Sequence, residues 1–380
     1  MNRFNKNWRS QCEGPSSSSI HLETGVLNLW ESAKSVDKNT MRSLFVCVVL
    51  LLFSVTTYAQ EQQFANLGDF KLESGETIRD CRIGYRIFGK LNADKSNAII
   101  LPTWASGTSE QLKSSVGPGR MLDEKYFVIA VDALGNGVSS SPSNSQTQPR
   151  MKFPKFTLRD CVRTQYEVVT RVLKLTHIKA VVGVSMGGMQ TFEWLVSYPE
   201  FMDMAIPVVG SPRLAAYDLL LWQSQIDAIM NDRGWNNGDY TINPARSAEF
   251  EFGALLLTSP ENYNKQMTRE KILAELKKAA EQKGGGFDAN DKIRQDQAMM
   301  SHDIAERFGN SMEKAAASIK AKVFVIVARQ DHVVTPGPAS EFAKLLNAPL
   351  LELQGDCGHL APSCESQTVN PVIAKFLDQK

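Results

Sequence analysis

Net charge, histidine and long apolar runs are all scarce in this 380-residue chain. Its 42 Lys and Arg are balanced by 41 Asp and Glu, which leaves a formal charge of +1. Such a chain has no field of one sign with which to gather nucleic acid or anionic lipid. It also lacks a long basic run and zinc-like Cys/His spacing, so neither nucleic-acid binding nor a metal is expected. No apolar stretch reaches the roughly 20 residues that span a bilayer. The absence of a fixed-period repeat and of a long low-complexity tract excludes a solenoid or a linker-joined array. What remains is 43% apolar and 22% charged, an ordinary globular composition. The length suits one α/β core enlarged by an insertion.

The N-terminal region has its own pattern. Met41-Arg42 opens a short cationic segment, Leu44 to Val55 is apolar, and Thr57-Tyr58-Ala59 carries small residues at its outer positions. This layout predicts a secretory signal over 41–59, cleaved after Ala59, with Gln60 as the mature N-terminus. The apolar run is too short for the alternative, a membrane anchor, so membrane contact is expected only through the signal. Residues 1–40 are polar and precede a methionine better suited to start an exported protein, which makes them an upstream extension and Met41 the expected start. The expected location is then the periplasm or the extracellular space. Of the six cysteines, Cys12 and Cys47 would be lost on processing, leaving Cys81, Cys161, Cys357 and Cys364. An oxidising compartment permits a Cys357–Cys364 bridge that stiffens the loop between them, and two free thiols are the alternative.

Beyond the signal, short apolar runs at Ala98 to Leu101, Phe127 to Val131, Ala180 to Val184, Ala205 to Val209, Val323 to Ala328 and Leu350 to Leu353 suit strands covered on both faces. Helical patterns lie between them at Leu158 to Leu173, Gly187 to Tyr198 and Ala339 to Leu346, and a last helix is expected over Pro371 to Leu377 with Asn370 as its N-cap. The alternation predicts an α/β fold with a mainly parallel, doubly wound sheet. Strand rhythm stops over 211–318, which reads as an inserted helical cap between core segments 60–210 and 319–380.

The sharpest local signal is Val181-Val182-Gly183-Val184-Ser185-Met186-Gly187-Gly188-Met189, an apolar strand entering a Gly-x-Ser-x-Gly turn and then a helix. That context makes it a nucleophile elbow, in which the glycines clear space around a tight turn that lifts the Ser185 hydroxyl off the sheet. A serine hydroxyl needs a base to take its proton and a carboxylate to hold that base in the right tautomer. Only five histidines compete. His21 precedes the mature chain, His177 reads as a surface turn residue, His332 points away, and His302 in the cap is either a substrate contact or a surface residue. His359, after the final strand, is the expected base. Asp331, shortly after the strand before it, is the expected acid, with Asp356 as a rival too close to His359 in sequence. The order Ser, Asp, His agrees with the elbow. An oxyanion would need two backbone donors, expected from Met186 and, by position after the Ala98 strand, Trp104.

With Gly183-Val184-Ser185-Met186-Gly187-Gly188-Met189-Gln190 and Glu193-Trp194 in place, the chain resembles the homoserine O-acetyltransferase family of α/β-hydrolase enzymes. The similarity extends to Gly117-Pro118-Gly119-Arg120, Asp123, Tyr126-Phe127-Val128-Ile129 and Leu134-Gly135, and in the insertion to Ala228-Ile229, Trp235, Gly238-Asp239-Tyr240 and Phe287-Asp288-Ala289-Asn290. The resemblance implies an α/β-hydrolase fold and acyl transfer through Ser185. Departures accompany it. Where the family holds the homoserine carboxylate with an arginine, Ile226 stands here, with Arg213 and Arg233 nearby. The family's Gly-His-Asp is Gly358-His359-Leu360, and its Cys-x-Gly segment is replaced by Asn136-Gly137-Val138-Ser139-Ser140-Ser141. A carboxylate in a partly dry pocket needs a bidentate cation, and acetyl-CoA is a cytoplasmic donor. The expected activity is therefore that of an exported ester hydrolase. An O-acyltransferase is the alternative, and a catalytically silent binding protein is the alternative of another class. No cofactor is implied. The expected partner is a small-molecule ester or acyl donor, with a homodimer left open.

Overall fold

The computed structural model describes residues 61–244, 247–282 and 284–379. The stretch expected to be a signal, the expected start at Met41, and Cys12, Cys47 and His21 lie outside the described residues. The strands are β1 (Gln63–Lys71), β2 (Thr77–Phe88), β3 (Ala98–Pro102), β4 (Phe127–Val131), β5 (Ile178–Val184), β6 (Met202–Val208), β7 (Lys322–Val323), β8 (Val325–Ala328) and β9 (Leu350–Leu353). They form one sheet in the order β1-β2-β4-β3-β5-β6-β8-β9, with β7 beside β6. From β4 to β9 every pairing is parallel, while β1 and β2 are antiparallel additions at one edge.

The central strands are apolar throughout because helices cover both faces. Alternate side chains of β3 divide between them. Ile99 and Leu101 belong to the cluster holding Val128, Val182 and the C-terminal helix residues Ile373 and Phe376, while Ile100 belongs to the one holding Val181, Met189 and Phe192. Each such side chain, fully buried, stabilises the fold by about 1.5–3 kcal/mol. Helices α1 (Leu158–Glu167) and α2 (Met186–Ser197) cover one face, and α11 (Ser366–Leu377) the other. Between β6 and β7 lie α3 (Ala216–Met230), α4 (Ser247–Leu256), α5 (Pro260–Gln266), α6 (Arg269–Glu281), α7 (Ala289–Met300) and α8 (Met312–Ser318). Helix α9 (Gly337–Leu345) joins β8 to β9, and the short α10 (Ala361–Cys364) precedes α11.

Four elements depart from the sequence reading. The β1–β2 hairpin has no counterpart there, because bulges between Asn66 and Phe70 break the in-out alternation that marks a half-buried strand. The run Val323 to Ala328 is two strands, interrupted where the Phe324 N–H bonds the Ala205 carbonyl. Helix α1 keeps its predicted start, where Thr157 and Asp160 form a reciprocal capping box, but a single π-helical turn replaces it over Val168–Val172. The last helix begins at Ser366, and Pro371 lies inside it, forfeiting one backbone hydrogen bond. Asn370 does not cap the helix. Its side-chain amide donates to the Gly119 carbonyl at 2.9 Å, a tertiary contact no local pattern contains.

Candidate active site

Strand β5 delivers Ser185 to the mouth of the sheet. Its φ of 60° and ψ of −122° are rarely adopted by a residue with a side chain, so surrounding structure must impose them. Part of that constraint is the Ser185 N–H, which bonds the Val208 carbonyl of β6 at 2.9 Å. The flanking glycines supply the rest. A Cβ at Gly183 would stand 2.1 Å from the Gly187 carbonyl oxygen, and one at Gly187 would stand 2.6 Å from that of Pro102. Only hydrogen at both positions lets α2 start immediately against the sheet.

Ser185, His359 and Asp331 converge from three different loops. Ser185 Oγ lies 2.8 Å from His359 Nε2, and His359 Nδ1 lies 2.7 Å from Asp331 Oδ2. The remaining oxygen of Asp331 accepts the N–H groups of Val333 and Val334 at 2.8 and 2.9 Å, so both carboxylate oxygens are occupied and the group has one orientation. All three side chains are more than nine-tenths buried.

Met186 is the first residue of α2, where an N–H has no acceptor within its own helix. On the facing loop Pro102 has no N–H and that of Thr103 is bound to the Val131 carbonyl at 3.2 Å, so Trp104 is the next residue whose N–H could serve. A buried amide chain clamps this loop to α2. Trp194 Nε1 donates to Gln165, Gln165 donates to Gln190, and Gln190 Nε2 donates to the carbonyls of Thr103 and Met186, each at 3.1 Å.

Cys357 and Cys364 are joined through their sulfurs, with Cα atoms 6.5 Å apart, and the bridge spans the turn that carries His359. Cys81 and Cys161 are free and buried. Asp356, the rival acid, turns away from His359. It receives Lys265 Nζ at 2.7 Å and Asn262 Nδ2 at 3.0 Å, both from α5, and these bonds hold its carboxyl below the usual range. His177 is exposed and lies 2.9 Å from Asp203, and His332 is exposed. Of the two alternatives for His302, a substrate contact or a surface residue, the surface position is overturned. It is buried, its Nε2 has no partner among the described residues, and burial pushes its pKa down to about 4. Among the described residues no cluster of three or more His, Cys, Asp or Glu could hold a metal ion.

The helices between β6 and β7, here termed the cap, reach the site through buried polar side chains that sequence reading missed. Gln295 of α7 accepts the Ser106 N–H at 2.8 Å and donates to the Leu134 carbonyl at 3.1 Å, bracing the loop that contains Trp104. Ser106 has a φ of 61°, so the loop it occupies needs such bracing. The neighbouring Arg294 donates to the carbonyls of Met151 and Phe153, and Asp291 accepts from the backbone and hydroxyl of Ser143. Asp218, in the first turn of α3, accepts from Thr335, just beyond Asp331. An acid in a first helical turn is visible in a sequence, but its partner 117 residues away is not.

The α/β hydrolase fold family is matched over residues 99–363. An ethyl acetate hydrolase from Pseudomonas veronii is 33% identical over 312 residues, covering 78% of this chain and 89% of that one. A homoserine O-acetyltransferase from Chlorobium chlorochromatii is 30% identical over 334 residues, covering 82% and 93%. Among solved structures, the acetyl esterase MekB superposes with a TM-score of 0.77 at 28% identity, covering 84% of this chain and 97% of that one.

Proposed function

The chain belongs to the α/β-hydrolase fold family, and within it we propose that the protein is an exported ester hydrolase working through an acyl-serine at Ser185. The observation that carries this reading is the continuous relay from Ser185 Oγ through His359 to Asp331, with contacts of 2.8 and 2.7 Å. In the proposed mechanism Ser185 Oγ attacks the ester carbonyl carbon as His359 Nε2 takes its proton. Asp331 holds His359 by Nδ1 and stabilises the imidazolium that forms. The N–H groups of Met186 and Trp104 receive the developing oxyanion, each worth about 3 kcal/mol in such sites. Collapse expels the alcohol, which takes the proton from His359. Water then attacks the acyl carbon, His359 acting first as base and then returning the proton to Ser185 Oγ, which frees the carboxylic acid.

Hydrolysis is favoured over transfer to an amino-acid alcohol by the environment of Ile226. It packs into an apolar cluster with Ile229, Trp235, Ala289 and Ile293, which offers nothing to a carboxylate. Neither neighbouring arginine compensates, since Arg213 is engaged by Asp303 at 2.7 Å and Arg233 is exposed. The relatedness to an ethyl acetate hydrolase makes small neutral acetate esters the first substrates to test. Export rests on the 41–59 layout and gains support from the Cys357–Cys364 bridge, which suits an oxidising compartment.

The decisive experiment offers the purified protein ethyl acetate and an activated acetate ester, then acetyl-CoA with homoserine. Acetate release from the esters, absent in Ser185→Ala, is expected. CoA release that depends on homoserine would replace this reading with the transferase, and failure of a fluorophosphonate to label Ser185 would replace it with a silent binding protein. An intact N-terminal extension on the mature protein would remove export alone.

A further inference from the structure

Two buried carboxylates share one turn beside the candidate site. Asp331 belongs to the core, after β8, and its Oδ1 takes the N–H groups of Val333 and Val334. Asp218 belongs to the cap, on α3, and is fully buried. Its Oδ1 takes the next N–H, that of Thr335, at 3.1 Å. Its Oδ2 takes the Thr335 hydroxyl and the Ala215 N–H, also at 3.1 Å. Three successive backbone donors are thus divided between core and cap.

Placing two carboxylates close together in a dry region costs free energy. Burial raises the Asp218 pKa, the bonds from Thr335 and Ala215 oppose that rise, and the charge of Asp331 adds to it. An ordinary helix cap does not require this arrangement, since the Ala215 N–H alone could be satisfied by water at an exposed helix start. What full burial adds is a rigid link from α3 to the turn that aims Asp331 Oδ2 at His359.

We propose that Asp218 is a positioning residue that ties the seating of the first cap helix to the aim of Asp331. The kinetic consequence of this inference rests on the hydrolase reading, whereas the tie between cap helix and turn does not. The groups facing Asp218 are Ala215, Thr335 and Asp331, and those facing His359 are Asp331 and Ser185.

The test compares the full-length protein with Asp218→Asn and Thr335→Val. An asparagine can accept from the Thr335 N–H, but it carries no charge and turns donors toward the Thr335 hydroxyl and the Ala215 N–H. Amide exchange of Val333, Val334 and Thr335 is followed by NMR, which needs no substrate, and kcat and KM are measured for activated-ester hydrolysis. In Asp218→Asn exchange at these amides should speed up about 10-fold, because the turn loses part of its tie to the cap helix. The turnover number kcat should fall about 10- to 100-fold with KM within about twofold. Thr335→Val, which keeps the bond from the Thr335 N–H to Asp218, should lose about threefold in kcat, and the double variant should be less than additive. Unchanged exchange at all three amides in a folded Asp218→Asn overturns the tie. A kcat loss that only tracks the unfolded fraction seen by circular dichroism overturns the positioning role. Absence of Ser185-dependent hydrolysis in the parent would instead count against the hydrolase reading, and the amide exchange would still decide for or against Asp218.

Discussion

The sheet and the cap helix α7 are both buried, yet they are buried by opposite chemistry. Ile99, Leu101, Val128, Val182 and Ile206 line the sheet with no polar side-chain atom among them. Along α7, Asp291, Lys292, Arg294, Gln295 and Asp296 are equally hidden and make directed bonds to loops of the core or to one another. Apolar burial is non-directional and tolerates small shifts. Buried hydrogen bonds are directional, and each group left unpaired costs about 1–3 kcal/mol. The sheet therefore supplies stability and a rigid floor for Ser185, whereas the cap sets the position of the loops around it. Three contact points follow this division, with Gln295 on the Ser106 loop, Asp218 on the Asp331 turn, and Asn262 and Lys265 on the His359 loop.

The comparison can be broken most severely from the sheet side. Asp331→Asn should lower kcat about 10⁴-fold, by favouring the wrong His359 tautomer, while thermal stability stays close to that of the parent. Steady-state kinetics beside a melting curve checks this, and a loss under tenfold would assign the orienting role to another group. From the cap side, Gln295→Leu strands the Ser106 N–H and the Leu134 carbonyl. It should cost about 2–4 kcal/mol of stability and about 10- to 100-fold in kcat. Denaturant unfolding with ester kinetics measures both, and a purely stability-linked effect would detach the cap from the site.

The smallest effect concerns charge. Burial, with Asp288 nearby, pushes the Asp291 carboxyl up to about 8 from an ordinary 3.8. Because the folded value is the higher one, its contribution is fully present below about pH 4 and declines as pH rises toward about 8. Asp291→Asn should flatten that slope and leave the protein more stable than the parent at pH 8 to 9, as read from melting temperatures across pH. A slope unchanged in the variant would mean that Asp291 stays ionised in the fold.

How much of this could be read without a structure depended on the range of the interaction. The elbow is local, since strand, glycines and helix lie within Val181 to Met189 and obey steric rules that a sequence displays. Asp331 and His359 were legible because each follows a recognisable apolar strand. Asp356 could be set aside by its spacing, although the reason it is occupied, α5, was invisible. The β1–β2 hairpin escaped because its bulges disrupt periodicity, and the true start of α11 escaped because Pro371 looks like a beginning. His302, readable only as cap, is a buried imidazole whose Nε2 has no partner among the described residues.

By itself the sequence determined the chemistry proposed for Ser185, because Asp331 and His359 follow strands whose apolar pattern places them at one end of a parallel sheet. Only the tertiary structure decided what holds that chemistry in aim. Asp218, Gln295 and Asn262 make bonds across 117, 189 and 94 residues of chain. A hydrogen bond between distant segments leaves no periodic trace, since it depends on where two loops come to rest and not on the spacing of residues within either.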